Sequence, residues 1–295
     1  MLLFLTSHSK LFDSKAKIMR KLIWIILVLF SASLPAQVKW EDHWKPFSTE
    51  EYLFTTGLMA GSLLILDIEK PTTTRWVGGV FLDGPIRDLL KVNSLRGRES
   101  ARKVGDTLAL TVLAYPFFVD AIADVWLSKG DPWVASQISL ISSQSLFLSA
   151  FITLGVKHLI SRERPFQQEC GNDPNYDGKC SQGESRLSFF SGHASLSFTA
   201  AGLVCAHHEN FDLWGGMTPC YVAIGMATGA TVSRAMADKH YASDLVIGAM
   251  VGWFSGYTLT KWLHYREKKS KGSEGVYFMP SIGKDSLEVN VSWVF

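Results

Sequence analysis

The stretch VASQISLISSQSLFLSAFITLGV, Val134–Val156, runs 23 residues without a charged side chain. As a helix it rises about 34 Å, enough to cross the ~30 Å hydrocarbon core of a bilayer. It is too long for a strand and lacks a two-residue alternation, so it reads as a helix. Five further apolar segments share that character: Tyr52–Leu66, Thr107–Leu127, Ala194–Ala206, Met217–Val232 and Leu245–Thr260. The last stops at Lys261, whose long stem can snorkel. Two of the others are short and one carries Pro116, Asp120 and Asp124, so these also fit buried bundle helices. The expected fold is all-α, a membrane-embedded bundle of about six core helices. At the end of the chain Leu287, Val289, Val291, Trp293 and Phe295 alternate with Glu288, Asn290 and Ser292, which predicts a short β-hairpin turning near Gly283.

The 295 residues carry a formal net charge of +2 and only 19% charged side chains. This gives no basic footprint for nucleic acid. Mean hydropathy is +0.12, which by itself neither establishes nor excludes a polytopic membrane protein. No low-complexity linker divides the chain, so one helical domain is expected over residues 50–265, followed by a basic tail and hairpin over 266–295. Residues 1–36 read as an N-terminal extension with a signal peptide or anchor. Met19-Arg20-Lys21 precede LIWIILVLFSASLPAQ, with cleavage expected after Ala36. Leu34 at the −3 position keeps an uncleaved anchor open, and residues 1–18, upstream of a good start methionine, receive no function. Cys170 and Cys180 bracket the polar loop CGNDPNYDGKC, which in an exported protein reads as a loop disulfide. Cys205 and Cys220 lie in apolar surroundings and read as core packing.

Charge gathers at the edges of three apolar segments. KHLISRERP places Lys157 and Arg164 two helical turns apart, so that two cations share a face. FFSGHASLSF puts Ser191, Gly192 and His193 at a helix start, where free N–H groups can hold an anion beside an imidazole. SRAMADKHYASD sets Arg234 before His240, with Asp244 four residues further on; on one helix the carboxylate could accept an imidazole N–H. Each cluster also has an ordinary reading, respectively a positively charged helix end, a capped turn and a polar connection. Together they supply three cations, two histidines, a carboxylate and a glycine turn, an inventory suited to binding and transferring a phosphoryl group without a metal. His207-His208-Glu209 does not suggest a metal site, because adjacent histidines point different ways on a helix.

In order and spacing, K-x6-RP (Lys157–Pro165), SGH (Ser191–His193) and SR-x5-H-x3-D (Ser233–Asp244) resemble the three-part signature of the type 2 phosphatidic acid phosphatase superfamily, over roughly residues 50–265. Phe190 departs from it, standing where the family usually has proline. The resemblance implies a metal-independent phosphatase acting on phosphomonoesters or diphosphates, with His240 as nucleophile, Asp244 orienting it and His193 as general acid and then base. Lys157, Arg164, Arg234, Ser191 and Gly192 would bind the phosphate. No cofactor is implied. The expected partners are a phospholipid or polyprenyl phosphate and the membrane, and the expected location is a bacterial cell envelope, in the inner membrane with the site facing the periplasm. The alternatives are a soluble periplasmic acid phosphatase, a vanadate-dependent haloperoxidase and a non-catalytic membrane protein. Topology holds a tension: a cleaved signal and three spans before Lys157 would put the motifs in the cytoplasm, against the loop cysteines and the basic tail.

Overall fold

The computed structural model describes residues 38–173, 180 and 183–266, together with the backbone of 275–282 and 287–294. The signal-like segment 1–36 and the side chains of the expected hairpin lie outside the described residues. Several of the helices begin at a side-chain cap. Helix α1, Thr49–Asp67, opens on a capping box: Ser48 accepts the Glu51 N–H, and Glu51 accepts the Ser48 N–H at 2.7 Å. A short helix, α2 (Asp83–Leu90), falls in the polar stretch 67–105 between the apolar segments Tyr52–Leu66 and Thr107–Leu127. Helix α3 starts at Leu95, capped by Ser94, twelve residues before the apolar segment expected from Thr107. Its first turns are charged, so hydropathy could not mark its start. At Pro116, which lacks an N–H, the ladder loosens into a π-helical continuation, Pro116–Ser128.

Asp131 caps α4, Pro132–Ile160, by accepting the Val134 N–H at 2.9 Å; Ser161, in the left-handed region at φ 48°, ends it. Helices α5 (Gly192–Asn210) and α6 (Thr218–Met236) follow. Helix α7, Ala242–Trp253, continues through the π turn Phe254–Thr258 into Leu259–Leu263. All six expected core helices are therefore present. The C-terminal backbone segments Gly275–Ile282 and Leu287–Val294 pair antiparallel.

Helix α5 is the axis of the bundle, packed against α3, α4, α6 and α7. From Ala194 to His208 most of its side chains are buried, as expected of a helix with no polar face. Its contact with α7 depends on Gly248, Gly252 and Gly256, one per turn. A Cβ on Gly248 would lie 2.7 Å from the Ser191 oxygen, and Cβ atoms on Gly252 and Gly256 would run into the carbonyls of Ser195 and Thr199. Bare backbone therefore lets the two helices touch. The larger apolar cluster, including Trp44, Phe47, Val125, Ile138, Phe211 and Tyr265, fills the end of the bundle away from the charged motifs.

Cys170 and Cys180 are disulfide-bonded, and so are Cys205 and Cys220, which tie α5 to α6. The expectation that Cys205 and Cys220 merely fill core space is thereby corrected. They are buried, but the start of α6 brings them together in a way no sequence spacing indicates. Two helices, Leu95–Ser128 and Pro132–Ile160, are long and apolar enough to cross a membrane, and 39% of each apolar window is buried inside the bundle. Large apolar side chains, among them Leu110, Phe118, Trp126, Val246, Met250 and Phe254, face outward.

Replacing Gly252 by valine should push α7 off α5. A loss of about 1–3 kcal/mol is expected from overpacking, at the upper end because the obstruction is backbone. Denaturation midpoints would measure it, and an unchanged midpoint would remove the stripe from the account of the fold.

Candidate active site

The polar end of the bundle closes around a cleft of about 290 Å³. Lys157 enters from the last turns of α4, Arg164 from the turn after it, Gly192 and His193 from the start of α5, Arg234 from the end of α6, and His240 from the turn before α7. Three sequence clusters thus meet at one place. Ser191 and Asp244 lie behind the cleft wall, fully buried. The Ser191 hydroxyl caps α5 on the Ala194 N–H, and its own N–H donates to the Asp244 backbone oxygen at 3.1 Å.

Two local expectations need correction. Lys157 and Arg164 do not share a helical face, since α4 ends at Ile160; the left-handed Ser161 turns the chain and brings Arg164 back. Nor do His240 and Asp244 share a helix. His240 stands in the turn before Ala242, and Asp244 is in the first turn of α7, where it accepts the Tyr241 N–H at 3.0 Å. Their atoms Nδ1 and Oδ2 are 3.7 Å apart, beyond a hydrogen bond. Ser188 fills the gap, donating to Asp244 Oδ2 at 2.6 Å with its Oγ 3.5 Å from His240 Nδ1. The other imidazole nitrogen, Nε2, lies 3.5 Å from an Arg164 guanidinium nitrogen on the cleft side.

Behind this pair is Arg162, a residue of KHLISRERP to which no role was given. It is completely buried. It donates to Asp244 Oδ1 at 2.6 Å, to Asp83 Oδ2 at 2.8 Å and to the Gly78 oxygen at 2.9 Å, between the rings of Trp76 and Tyr241. Asp83 also accepts the Ser243 N–H at 2.8 Å. From α2, Arg87 grips both oxygens of Asp238, the left-handed residue two before His240, at 2.7 and 2.8 Å. The stretch 67–105 therefore positions the site from behind.

Further side chains that the motifs did not include line the cleft: Arg102, Asp106, Phe166, Glu184 and Lys239. Asp106 Oδ1 accepts from Arg234 Nη2 and lies 3.0 Å from His193 Nε2, while Oδ2 accepts from Arg102 at 2.9 Å. The signal was present, because Arg102 and Asp106 sit at i, i+4 on the edge of the apolar run beginning at Thr107, the same pattern that marked the other clusters. Lys157 donates to the Leu187 oxygen at 2.6 Å, and Arg164 to the Glu184 oxygen at 2.8 Å and the Lys239 oxygen at 3.2 Å. Burial, then the charges of Arg164 and Lys157, hold the His240 imidazole well below its ordinary 6.5. Burial and Arg234 take His193 to about 4, against the opposing pull of Asp106. Burial brings Arg164 down to about 10, at which it is still a cation at neutral pH. Chemically, the cleft sets arginine cations around two neutral imidazoles, His240 and His193.

Fold and site together define a helical bundle with a cation-rich cleft backed by a buried imidazole–serine–carboxylate array. The family model for the PAP2 superfamily matches residues 139–268, so this part of the chain is similar to that superfamily. The similarity supports phosphatase-type activity on phosphoesters. Helix α3, with Arg102 and Asp106, lies outside the matched segment. No solved structure matches the chain significantly.

The depressed His240 value carries a direct test. A side chain held below 6.5 stays neutral, with its nitrogen lone pair available, as pH falls through 6.5. The His240 ring resonance, assigned by its loss in His240→Gln, should keep its neutral position in an NMR titration of the phosphate-free protein across that pH. A midpoint at or above 6.5 would show that the imidazole is not desolvated as described.

Proposed function

We propose that the protein is a phosphatase that removes a phosphoryl group from lipid phosphomonoesters or diphosphates through a phosphohistidine on His240. The observation that carries this reading is the continuity of the charged cleft with an apolar groove of about 180 Å³ between α3 and α5. The groove shares Asp106, Gly192 and His193 with the cleft and runs on along Ala109, Leu110, Leu113 and Leu196. A phosphate in the cleft can therefore keep its hydrocarbon chain on an apolar wall.

In this mechanism His240 Nε2 forms a bond to phosphorus as the phosphorus–oxygen bond to the leaving alcohol or phosphate breaks. Ser188, whose own proton goes to Asp244, accepts from Nδ1–H and so fixes the tautomer that leaves Nε2 free to attack. His193 gives a proton to the leaving oxygen, then takes one from the water that cleaves the N–P bond. Because His193 has a low proton affinity in the empty cleft, it must gain its proton when the anion arrives and offsets Arg234. Lys157, Arg164 and Arg234 balance the charge on the phosphoryl oxygens, with the first N–H groups of α5 at Gly192 adding to them. The scheme uses no metal, so activity should survive EDTA.

Two measurements test the reading. His240→Ala should lower kcat by several orders of magnitude on any substrate; retention of a tenth of the activity would sink the nucleophile assignment. On a series of n-alkyl phosphates, kcat/KM should rise roughly fourfold per added carbon, the equivalent of ~0.8 kcal/mol per buried methylene, until the groove is full. Leu110→Asp should flatten that rise. A series independent of chain length in the unaltered protein would separate the phosphatase from its lipid.

For location, the outward apolar side chains and the two long apolar helices support a bundle embedded in a membrane, with the polar cleft at one face. The Cys205–Cys220 bond favours a second reading, a phosphatase lying wholly in an oxidising compartment of the envelope. It sits about 21 Å along α5 from the capping Ser191, towards the opposite end from Cys170–Cys180, so an inner-membrane bundle would place one of the two pairs towards a reducing side. Thiol alkylation of protein taken from cells decides between them. Free Cys205 and Cys220 beside an intact Cys170–Cys180 pair match the inner membrane, and two intact pairs match the second reading.

A further inference from the structure

Asp106 belongs to none of the three motifs and stands outside the matched segment, yet it already occupies the cleft. Its Oδ1 takes a hydrogen bond from Arg234 and lies 3.0 Å from His193, two of the groups assigned above to the substrate. Its Oδ2 is held at 2.9 Å by Arg102, one helical turn nearer the start of α3. Both the Asp106 and Arg102 side chains are substantially exposed, at 40% and 44%, so packing does not lock this carboxylate inward. Two other cations of the cleft bond elsewhere: Lys157 bonds the Leu187 oxygen, and Arg164 the Glu184 and Lys239 oxygens.

We propose that Asp106 is an internal competitor for the phosphate cradle. In the empty cleft its carboxylate stands in for a phosphoryl oxygen, holding Arg234 and His193 in place, and it gives way to the incoming phosphate by falling back on Arg102. The exchange is favourable only for an anion able to offer more than the carboxylate does. A phosphate dianion brings greater charge and three acceptor oxygens, and so engages Lys157 and Arg164 as well as Arg234. A weaker anion has to displace a carboxylate that already has two good donors, so Asp106 also sets a threshold that screens such anions out. Asp106 acts here as a positioning residue that raises the affinity required of a ligand. The proposal rests on the reading of the cleft as a phosphate site but does not depend on turnover.

Calorimetric binding of inorganic phosphate to the full chain tests it. Asp106→Asn removes the competing charge and should tighten the phosphate Kd about tenfold, whereas a carboxylate that merely braced the fold, or one that bonded the ligand, would weaken binding when neutralised. The same variant should melt earlier than the unaltered protein without phosphate, since Arg234 loses its partner, and should gain more in Tm from saturating phosphate. Should Asp106→Asn not fold, Asp106→Ala carries the same two expectations. Arg102→Ala, which removes the fallback, should weaken phosphate binding several-fold, and this loss should vanish when combined with Asp106→Asn. Unchanged or weaker phosphate binding in the Asp106 variants, or an Arg102 effect equal in both backgrounds, overturns the proposal. Phosphate bound as expected by a protein that hydrolyses nothing would fail the phosphatase reading and leave this one standing. No phosphate binding by any form would remove both.

Discussion

The site depends on one buried guanidinium. Arg162 is wholly out of water, and moving such a charge inside costs several kcal/mol after relaxation, so it is tolerated only when its surroundings answer it. Here two carboxylates, a carbonyl oxygen and two aromatic faces do so. Those partners come from four places in the chain: the loop at Trp76–Gly78, the start of α2, the turn before α7 and the first turn of α7. Satisfying one cation therefore fixes four segments relative to one another. It also decides how Asp244 is used. With Oδ1 committed to Arg162, Oδ2 is left for Ser188 and the Tyr241 N–H, and the imidazole of His240 meets a carboxylate whose orientation is already set.

The second constraint is the closeness of α5 and α7. The carbonyls of Ser191, Ser195 and Thr199 face the three glycines of α7, so the helix that starts at the proposed acid, His193, and the helix that carries Asp244 meet backbone to backbone. Side chains of ordinary size would separate them by several ångströms, and the cleft would open. The opposite end of the bundle uses polarity for a different purpose. Asp124 accepts the Trp214 N–H at 2.7 Å, His208 bonds Asp120 at 3.1 Å, and His207 bonds Ser142 at 3.0 Å and Tyr265 at 3.1 Å. The charges that interrupt the apolar run Thr107–Leu127 thus tie α3 to α5 and the α5–α6 turn. Among the described residues no group of three His, Cys, Asp or Glu side chains is arranged to hold a metal, and the neighbouring His207 and His208 point to different partners.

Much of this was legible in one dimension. Apolar length located all six core helices, because burying a helix in a bundle or a bilayer requires a long run of apolar side chains whichever surrounds it. For the same reason hydropathy could not say which surrounds it: α3 with its continuation, and α4, are long and apolar enough to span, yet 39% of each apolar window is buried inside the bundle. Boundaries failed where a cap or a charged first turn, rather than hydropathy, set them, as at Ser94. The spacing Gly248, Gly252, Gly256 was also open to reading, one glycine per turn on a single face, but its meaning depends on which helix lies opposite.

What the sequence by itself determined was the set of residues proposed to act: which cations, which histidines and which carboxylate, since these residue types stand at the edges of apolar segments in a spacing that resembles a known phosphatase signature. What only the tertiary structure decided was the contacts through which they act. Lys157 with Arg164, and His240 with Asp244, are close for reasons other than helical periodicity, the first through a left-handed turn and the second through a serine. Arg162, Asp83, Asp106 and the Cys205–Cys220 bond join residues far apart in the chain or on different elements. A sequence pattern reports neighbours along one helix or strand, whereas a buried charge recruits whatever the fold brings within 3 Å of it, and that distance exists only once the chain has closed on itself.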